Sequence, residues 1–436
     1  MNKNTCVIYA PVTTFSGYGA RGRDIAKAII ELKKDEWDIK ILPCRWGNTS
    51  QNFINENPKW KFLEEYFTPQ LTQQPDIMVW VTVPNEFQPI GKYNIGVTAG
   101  IETNLAPSEW VEGCQRMDLI LGSSKHTIEV LRNSKFEKRD KNTNQLLGSI
   151  YWDRDSEVLF EGADTETYFP DSSQCLIDFD IKEKFAYLFV GHWLPGQMGE
   201  DRKNVGLLVK AFLETFKNKT NAPALILKTS TVSTSYIDRD EIVKRIKAIK
   251  STVKANKLPN IYLLHGDFTD EEMNSIYNHS KVKAMINLTK GEGFGRPLLE
   301  FSLTNKPIIS TNYSGHTDFL DSEFTTLLPG SMTKVHPSAA NQMLLQQSEW
   351  FSVDMGSVGH YLNEVFENYK KYIDKGKRQG YKSRTNFSFE KMKEKLDDIF
   401  KNRIPEFPKQ VQLQLPKLNK LDLPKLQLPK LKKIEQ

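Results

Sequence analysis

Between residues 286 and 310 the chain reads INLTKGEGFGRPLLEFSLTNKPIIS, an apolar run, a glycine turn, a helical pattern and a second apolar run. Glu292 precedes a Gly-Phe-Gly turn (Gly293, Phe294, Gly295), and Glu300 follows eight residues after Glu292. Without a Cβ at the two glycines, a ligand can come up to the backbone. Free N–H groups at the start of a helix favour negative charge or hydroxyl oxygens. Eight helical residues span roughly 11–12 Å, so the two carboxylates cannot act at one point. They suit two parts of one extended ligand. A glycine turn followed by a solvated helix is the plain alternative, but the run LLEFSL places Glu300 among apolar neighbours.

The surrounding pattern supplies the elements that would hold such a site. CVIYAPV (6 to 12) reads as a buried strand, ARGRDIAKAIIELKK (20 to 34) as an amphipathic helix and WDIKILP (37 to 43) as the next strand, a βαβ unit. Further strands are predicted at 76 to 84, 93 to 100, 118 to 124 and 156 to 160, with a helix near SKHTIEVLRNS. The alternation restarts with a strand at 185 to 193, a helix at 203 to 216 and strands at 222 to 229, 260 to 266, 282 to 289 and 306 to 310. Two mostly parallel α/β halves follow, with ligands expected where the carboxyl ends of their strands face a shared crevice. The predicted division is 1–180 for an N-terminal domain, 181–385 for a C-terminal domain, a helix within 386–403 packing back toward the first domain, and a tail over 404–436. A single helix is expected over about 340 to 374. The tail repeats Pro-Lys-Leu at 416, 424 and 429, which excludes regular helix and interior strand.

Composition narrows the class. A chain of 436 residues with 39% hydrophobic and 26% charged side chains has room for two cores. The net charge of +5, from 59 basic and 54 acidic residues, does not by itself argue for nucleic acid. Cys6, Cys44, Cys114 and Cys175 are scattered, and they read as reduced packing thiols rather than a metal site or disulfide framework. The N-terminus lacks the pattern of a signal peptide, and no apolar run reaches the ~18 residues of a membrane span. A cytoplasmic location is the expectation, with no metal site.

GEGFGRPLLEFSLTNKPIIS looks like the E-x7-E signature of retaining glycosyltransferases of the GT-B fold, the family that includes glycogen synthases and many bacterial mannosyl- and glucosyltransferases. The segment LLHGDFTDEEMNSIYNHSKVKAMINLT resembles the approach to that signature. FVGHWLPGQMGEDRKNVGLLVKAFLETF is similar to the opening of the family's nucleotide domain, and SGYGARGRDIAKAI to its first glycine-rich loop. ETNLAPSEWVEGCQRMDLILGSSKHTIEVL and FEGADTETYFP match its late N-domain pattern. The resemblance implies two Rossmann-like domains facing a central cleft, a nucleotide-sugar as donor substrate and no obligatory cofactor or metal. It further implies that Glu300 accepts ribose hydroxyls, that Glu292 lies by the donor sugar, and that Gly293, Phe294 and Gly295 offer N–H groups to sugar and diphosphate. Lys203 and Arg202 would neutralise the leaving diphosphate, and Gly17 and Gly19 would bring the first loop to the donor phosphates. Glu102 is an acceptor-contacting candidate, and Arg21 and Arg23 are candidates for binding an acceptor phosphate or carboxylate.

The chain departs from the family pattern in three places: Arg296 stands where a small apolar residue is usual, Gly191-His192 replaces Gly-Arg, and LPGQMGED is inserted before Arg202. Two early segments are similar to chains encoded by tailed phages, which makes a modified base in DNA one acceptor to consider beside a saccharide or lipid-linked glycan. The competing readings are a nucleotide-sugar epimerase on the same scaffold and a non-catalytic nucleotide-sugar-binding protein.

Overall fold

The computed structural model describes residues 3–140, 142–171, 179–231 and 234–408. The first half contains β1 (Asn4–Ala10), α1 (Gly17–Lys33), β2 (Trp37–Pro43), α2 (Phe53–Glu56), β3 (Ile77–Val81), β4 (Tyr93–Thr98), α3 (Ser108–Gln115), β5 (Leu119–Gly122), α4 (Lys125–Asn133), β6 (Phe136–Arg139), β7 (Leu146–Ile150) and β8 (Asp155–Val158). Six of these strands form one wholly parallel sheet in the order β2-β1-β3-β4-β5-β8. The second half runs β9 (Ala186–Val190), α5 (Val205–Phe216), β10 (Ala224–Lys228), α6 (Tyr236–Ser251), β11 (Ile261–Leu264), α7 (Asp270–Asn278), β12 (Val282–Asn287), α8 (Arg296–Ser302), β13 (Ile308–Thr311) and β14 (Thr326–Leu328). Its sheet is also wholly parallel, in the order β11-β10-β9-β12-β13-β14. The two doubly wound α/β halves expected from the alternation are both present.

Central strands are uniformly apolar because helices cover both faces of each sheet. IMVWV of β3 and AYLFV of β9 are buried at every position. α1 begins at Gly17 because Ser16 caps it, its Oγ accepting from the N–H of Gly19. In the second sheet β9 lies between β10 and β12, so the chain direction of winding reverses there. Loops leaving β9 and β12 diverge at such a point and open a ligand crevice between them.

The segment expected as one helix over 340 to 374 is instead a hairpin strand followed by helices. β15 (Gly330–Lys334) pairs antiparallel with β16 (Glu349–Val353), and α9 (Met355–Glu367) and α10 (Tyr369–Asn386) follow. Trp350, Phe351 and Val353 favour a strand, and Asp354 starts α9 by accepting from the N–H groups of Gly356 and Ser357. The exposed β6–β7 hairpin and the three-residue β14 also lacked a period long enough to read.

The last helix, α11 (Phe389–Arg403), returns to the first half. Met392, Leu396, Ile399 and Phe400 share one core with Ile25 and Ile29 of α1. Ile404 and Phe407 pack against the same core. The rest of the Pro-Lys-Leu tail, from 409 onward, lies outside the described residues, as does Cys175. No helix among the described residues is long and apolar enough to cross a membrane.

Candidate active site

Lys203 and Glu292 are 89 residues apart, and the sheet brings them together because their loops leave the neighbouring strands β9 and β12. The Lys203 ammonium is ion-paired with Glu292 Oε1. Arg202 binds the same loop, donating from Nη1 to the carbonyl of Gly291 at 3.0 Å and lying 3.7 Å from Glu292 Oε2. The backbone joins in, the N–H of Lys290 donating to the carbonyl of Arg202 at 2.8 Å. Burial alone would raise the Glu292 carboxyl, but Lys203 and Arg202 hold it below its ordinary range. Burial and the neighbouring Arg202 pull Lys203 down, against the attraction of Glu292. The result is a pair of cations facing one carboxylate at the crevice.

The first half closes over this pair. Glu102, in the loop after β4, places Oε1 2.9 Å from Arg202 Nη1. Ser124 Oγ donates to the carbonyl of Gly293 at 2.7 Å, and the N–H of Lys125 donates to Asp318 Oδ2 at 2.8 Å. The approach is so close that a Cβ on Gly293 would stand 2.4 Å from the carbonyl oxygen of Ala99. Gly295 has φ +95° at the start of α8, a conformation that favours glycine. Among the described residues, the N–H groups of Gly293, Phe294 and Gly295 donate to no protein acceptor. The Phe294 ring is itself core, packed 5.0 Å from Phe319.

Glu300 occupies a second position, beside a cavity of about 240 Å³ between the halves. Ser16, Gly17, Arg23 and Asp24 line it from the first half; His192, Lys228, Phe268 and Tyr277 line it from the second. Glu300 Oε1 accepts from Arg296 Nε at 2.8 Å, and Oε2 from the Tyr277 hydroxyl at 3.4 Å. Burial pushes its pKa up to about 7, with Arg296 opposing and Asp270 and Asp24 adding to the rise. His192 is held neutral, its pKa lowered to about 4 by burial and by Lys203, Lys228 and Arg202. Burial likewise lowers the pKa of Lys228, whose Nζ lies 5.4 Å from the centre of the Phe268 ring.

The remaining sequence candidates separate into two groups. Gly17 lines the cavity, while Gly19 is packed against Thr14, where a Cβ would come within 2.4 Å of the carbonyl oxygen. Arg21 is not placed for an acceptor: it is 2% exposed, and its Nη atoms donate to the carbonyls of Leu159 and Phe160. Arg23 donates to the carbonyls of Val12 and Thr14 and lies 3.3 Å over the Phe53 ring, on the Glu300 side of the crevice. A cation at the fifth or seventh residue of α1 is turned inward by the packing of its first turns, which helical periodicity did not foretell. Asp24, Lys228, Tyr277 and the pairing of Arg296 also escaped the sequence reading, since each gains its place from another element. No group of three or more His, Cys, Asp or Glu among the described residues is arranged to hold a metal ion.

No protein-family model and no curated protein matches the chain. Solved structures do. A glycosyltransferase from Rickettsia africae aligns with a TM-score of 0.60 at 14% identity, covering 93% of this chain and 99% of that one. HepE of Anabaena in complex with UDP-glucose aligns with a TM-score of 0.59 at 12% identity, covering 91% and 99%. The sucrose-phosphate synthase of Thermosynechococcus elongatus gives 0.58 at 10% identity, covering 92% and 99%. The chain has the GT-B fold. In this GT-B chain the alignments span both halves together, and the Lys203–Glu292 pair and the Glu300 cavity lie where the halves meet. Fold similarity at such identities does not assign a reaction.

Proposed function

We propose that the protein is a retaining glycosyltransferase, moving a hexose or pentose from a nucleotide-sugar to an acceptor hydroxyl. The observation that carries this reading is the division of charge along one interdomain crevice. Two cations, Lys203 and Arg202, stand by Glu292 at one end, and a hydroxyl-accepting carboxylate, Glu300, stands by a cavity at the other. That spacing suits a nucleoside diphosphate, with ribose hydroxyls at Glu300 and diphosphate at Lys203 and Arg202. The bound UDP-glucose of the Anabaena neighbour supports the choice of donor class.

In the proposed reaction, the donor diphosphate takes up the cations that Glu292 holds in the structure. Lys203 and Arg202 then stabilise charge growing on the leaving oxygen as the bond from the sugar's anomeric carbon breaks. The acceptor oxygen forms its bond to that carbon on the same face, and its proton passes to the departing phosphate oxygen. Glu292 is freed to hold sugar hydroxyls, and the N–H groups of Gly293, Phe294 and Gly295 are available to donor oxygens. Glu102, across from Arg202, is assigned to contact the acceptor. Closure of the two halves excludes water and so disfavours hydrolysis.

Thermal stabilisation by UDP-, GDP-, dTDP- and ADP-sugars tests the donor assignment, because a ligand bound only by the folded state raises the melting temperature. A shift with one donor that disappears in Glu300→Ala is expected. The anomeric configuration of the product, read by NMR with glycan, lipid-linked sugar and modified-base DNA acceptors, then tests retention. Conversion of the donor's sugar without any acceptor would replace the reading with an epimerase.

A further inference from the structure

Arg296 has no task in the transfer just described, yet it is built into the site with unusual care. It opens α8, where a cation opposes the helix dipole, so helix stability does not account for it. Its side chain is only 18% exposed. Nε donates to Glu300 Oε1, four residues on, while Nη1 pairs with Asp24 Oδ2 on α1 of the other half. Asp24 is itself buried. One planar guanidinium is therefore shared by two carboxylates 272 and 4 residues away, across the domain boundary. A fork of fixed geometry is the group best suited to such sharing.

The groups facing Glu300 explain what the sharing does. Asp24 from α1 and Asp270 from α7 oppose its negative charge, and the phenols of Tyr168 and Tyr277 pack beside it. Arg23 of α1 lines the same cavity and faces the same two aspartates, but Arg296 is the cation hydrogen-bonded to Glu300. Asp24 and Glu300 in turn keep the guanidinium charged against the cost of burial.

We propose that Arg296 is a positioning residue: by bridging Asp24 and Glu300 it opposes protonation of the buried Glu300 and holds it fixed toward the interdomain cavity, and makes that hold depend on closure of the two halves. The proposal rests on the reading of Glu300 as the acceptor of donor hydroxyls. A carboxylate accepts hydroxyls through charge-assisted bonds that a protonated carboxyl cannot match. Without the guanidinium, burial and the two aspartates push Glu300 further toward its protonated form. With Asp24 withdrawn by opening, the guanidinium loses the anchor that orients it.

The test is calorimetric titration of UDP, GDP, ADP and dTDP into the full chain from pH 6.5 to 9, with wild type, Arg296→Met, Arg296→Lys and Asp24→Asn. Expected for the tightest nucleotide is a wild-type Kd that levels off above neutral pH. Arg296→Met should bind about tenfold or more weakly at pH 7 and regain most of that by pH 9, each unit of displaced pKa being worth about tenfold. Arg296→Lys should restore much of the wild-type profile. Asp24→Asn should weaken binding in the same direction, with a larger radius of gyration by small-angle scattering. A wild-type pH profile in Arg296→Met reduces the residue to a structural part, and unchanged Kd and radius in Asp24→Asn remove the link to closure. If Arg296→Met does not fold, Arg296→Lys and the near-isosteric Asp24→Asn decide by the same readouts. If wild type binds none of the four nucleotides, the donor reading itself fails, and scattering alone decides the bridge: an expanded Asp24→Asn chain upholds it and an unchanged one overturns it.

Discussion

Arg202 of the second half and Glu102 of the first meet across the domain boundary, with Nη1 and Oε1 2.9 Å apart. The same guanidinium donates to the carbonyl of Gly291, so one side chain ties the loop before the glycine turn to the opposite wall. Glu102→Gln keeps the shape and removes the charge. We expect kcat/KM to fall on the order of tenfold, the scale of one hydrogen bond to a charged group, with nucleoside diphosphate affinity retained because Arg202 is released rather than lost. Steady-state kinetics beside calorimetry checks the split; equal losses in both would place Glu102 in donor binding.

Lys203→Met should lower turnover by roughly 10²–10³, the range seen when one group stabilising a developing negative charge is removed. It also leaves Glu292 buried beside a single, more distant cation. An uncompensated buried carboxylate is costly, so the double variant Lys203→Met/Glu292→Gln should melt higher than Lys203→Met alone. Thermal denaturation of both proteins measures this, and no recovery in the double variant would mean that solvent already satisfies Glu292.

The raised pKa of Glu300 makes a signed prediction for stability. The unfolded carboxyl titrates near 4.5, the folded one at about 7. Because the fold favours the protonated form, its contribution is complete below pH 4.5 and is lost as pH rises through 7. The wild type should therefore lose at most roughly 3 kcal/mol between these limits relative to Glu300→Gln, whose side chain does not titrate. Urea denaturation of both at pH 5 and pH 8 gives the difference; parallel behaviour would show that Arg296 compensates the carboxylate fully.

Gly293→Ala places a methyl group 2.4 Å from the Ala99 carbonyl oxygen, on the opposite half. Neither sheet contains this contact, so the cost should fall on closure. Overpacking of this kind typically costs about 1–3 kcal/mol. We expect kcat/KM to drop by a factor of ten or more while circular dichroism stays unchanged, and small-angle scattering to report a more open chain. Wild-type kinetics would mean that the closed approach is not needed for turnover.

Much of the framework was legible because burial in a layered α/β fold leaves a local imprint. Continuous apolar runs marked β3 and β9, and the 3.6-residue period marked α1 and α5. The strand within 340 to 374 does not stand out in the sequence because β16 has only five residues, too few to show a period, and pairing with β15 is what fixes it. Glu292 and Glu300 stood out through a glycine turn that interrupts an otherwise apolar passage.

By itself, then, the sequence determined where most strands and helices of the two halves form, that they make two parallel sheets, and which turn lies at the end of β12. Those properties depend on side chains within a few residues of one another. Only the tertiary structure decided which charges meet. Arg296 faces Asp24 from 272 positions away, Lys203 faces Glu292 from 89, and Arg21, equally basic on paper, is spent on the carbonyls of Leu159 and Phe160. A charged side chain carries no local mark of its partner, because its pairing is settled by which loops the sheets and the closing halves bring into reach.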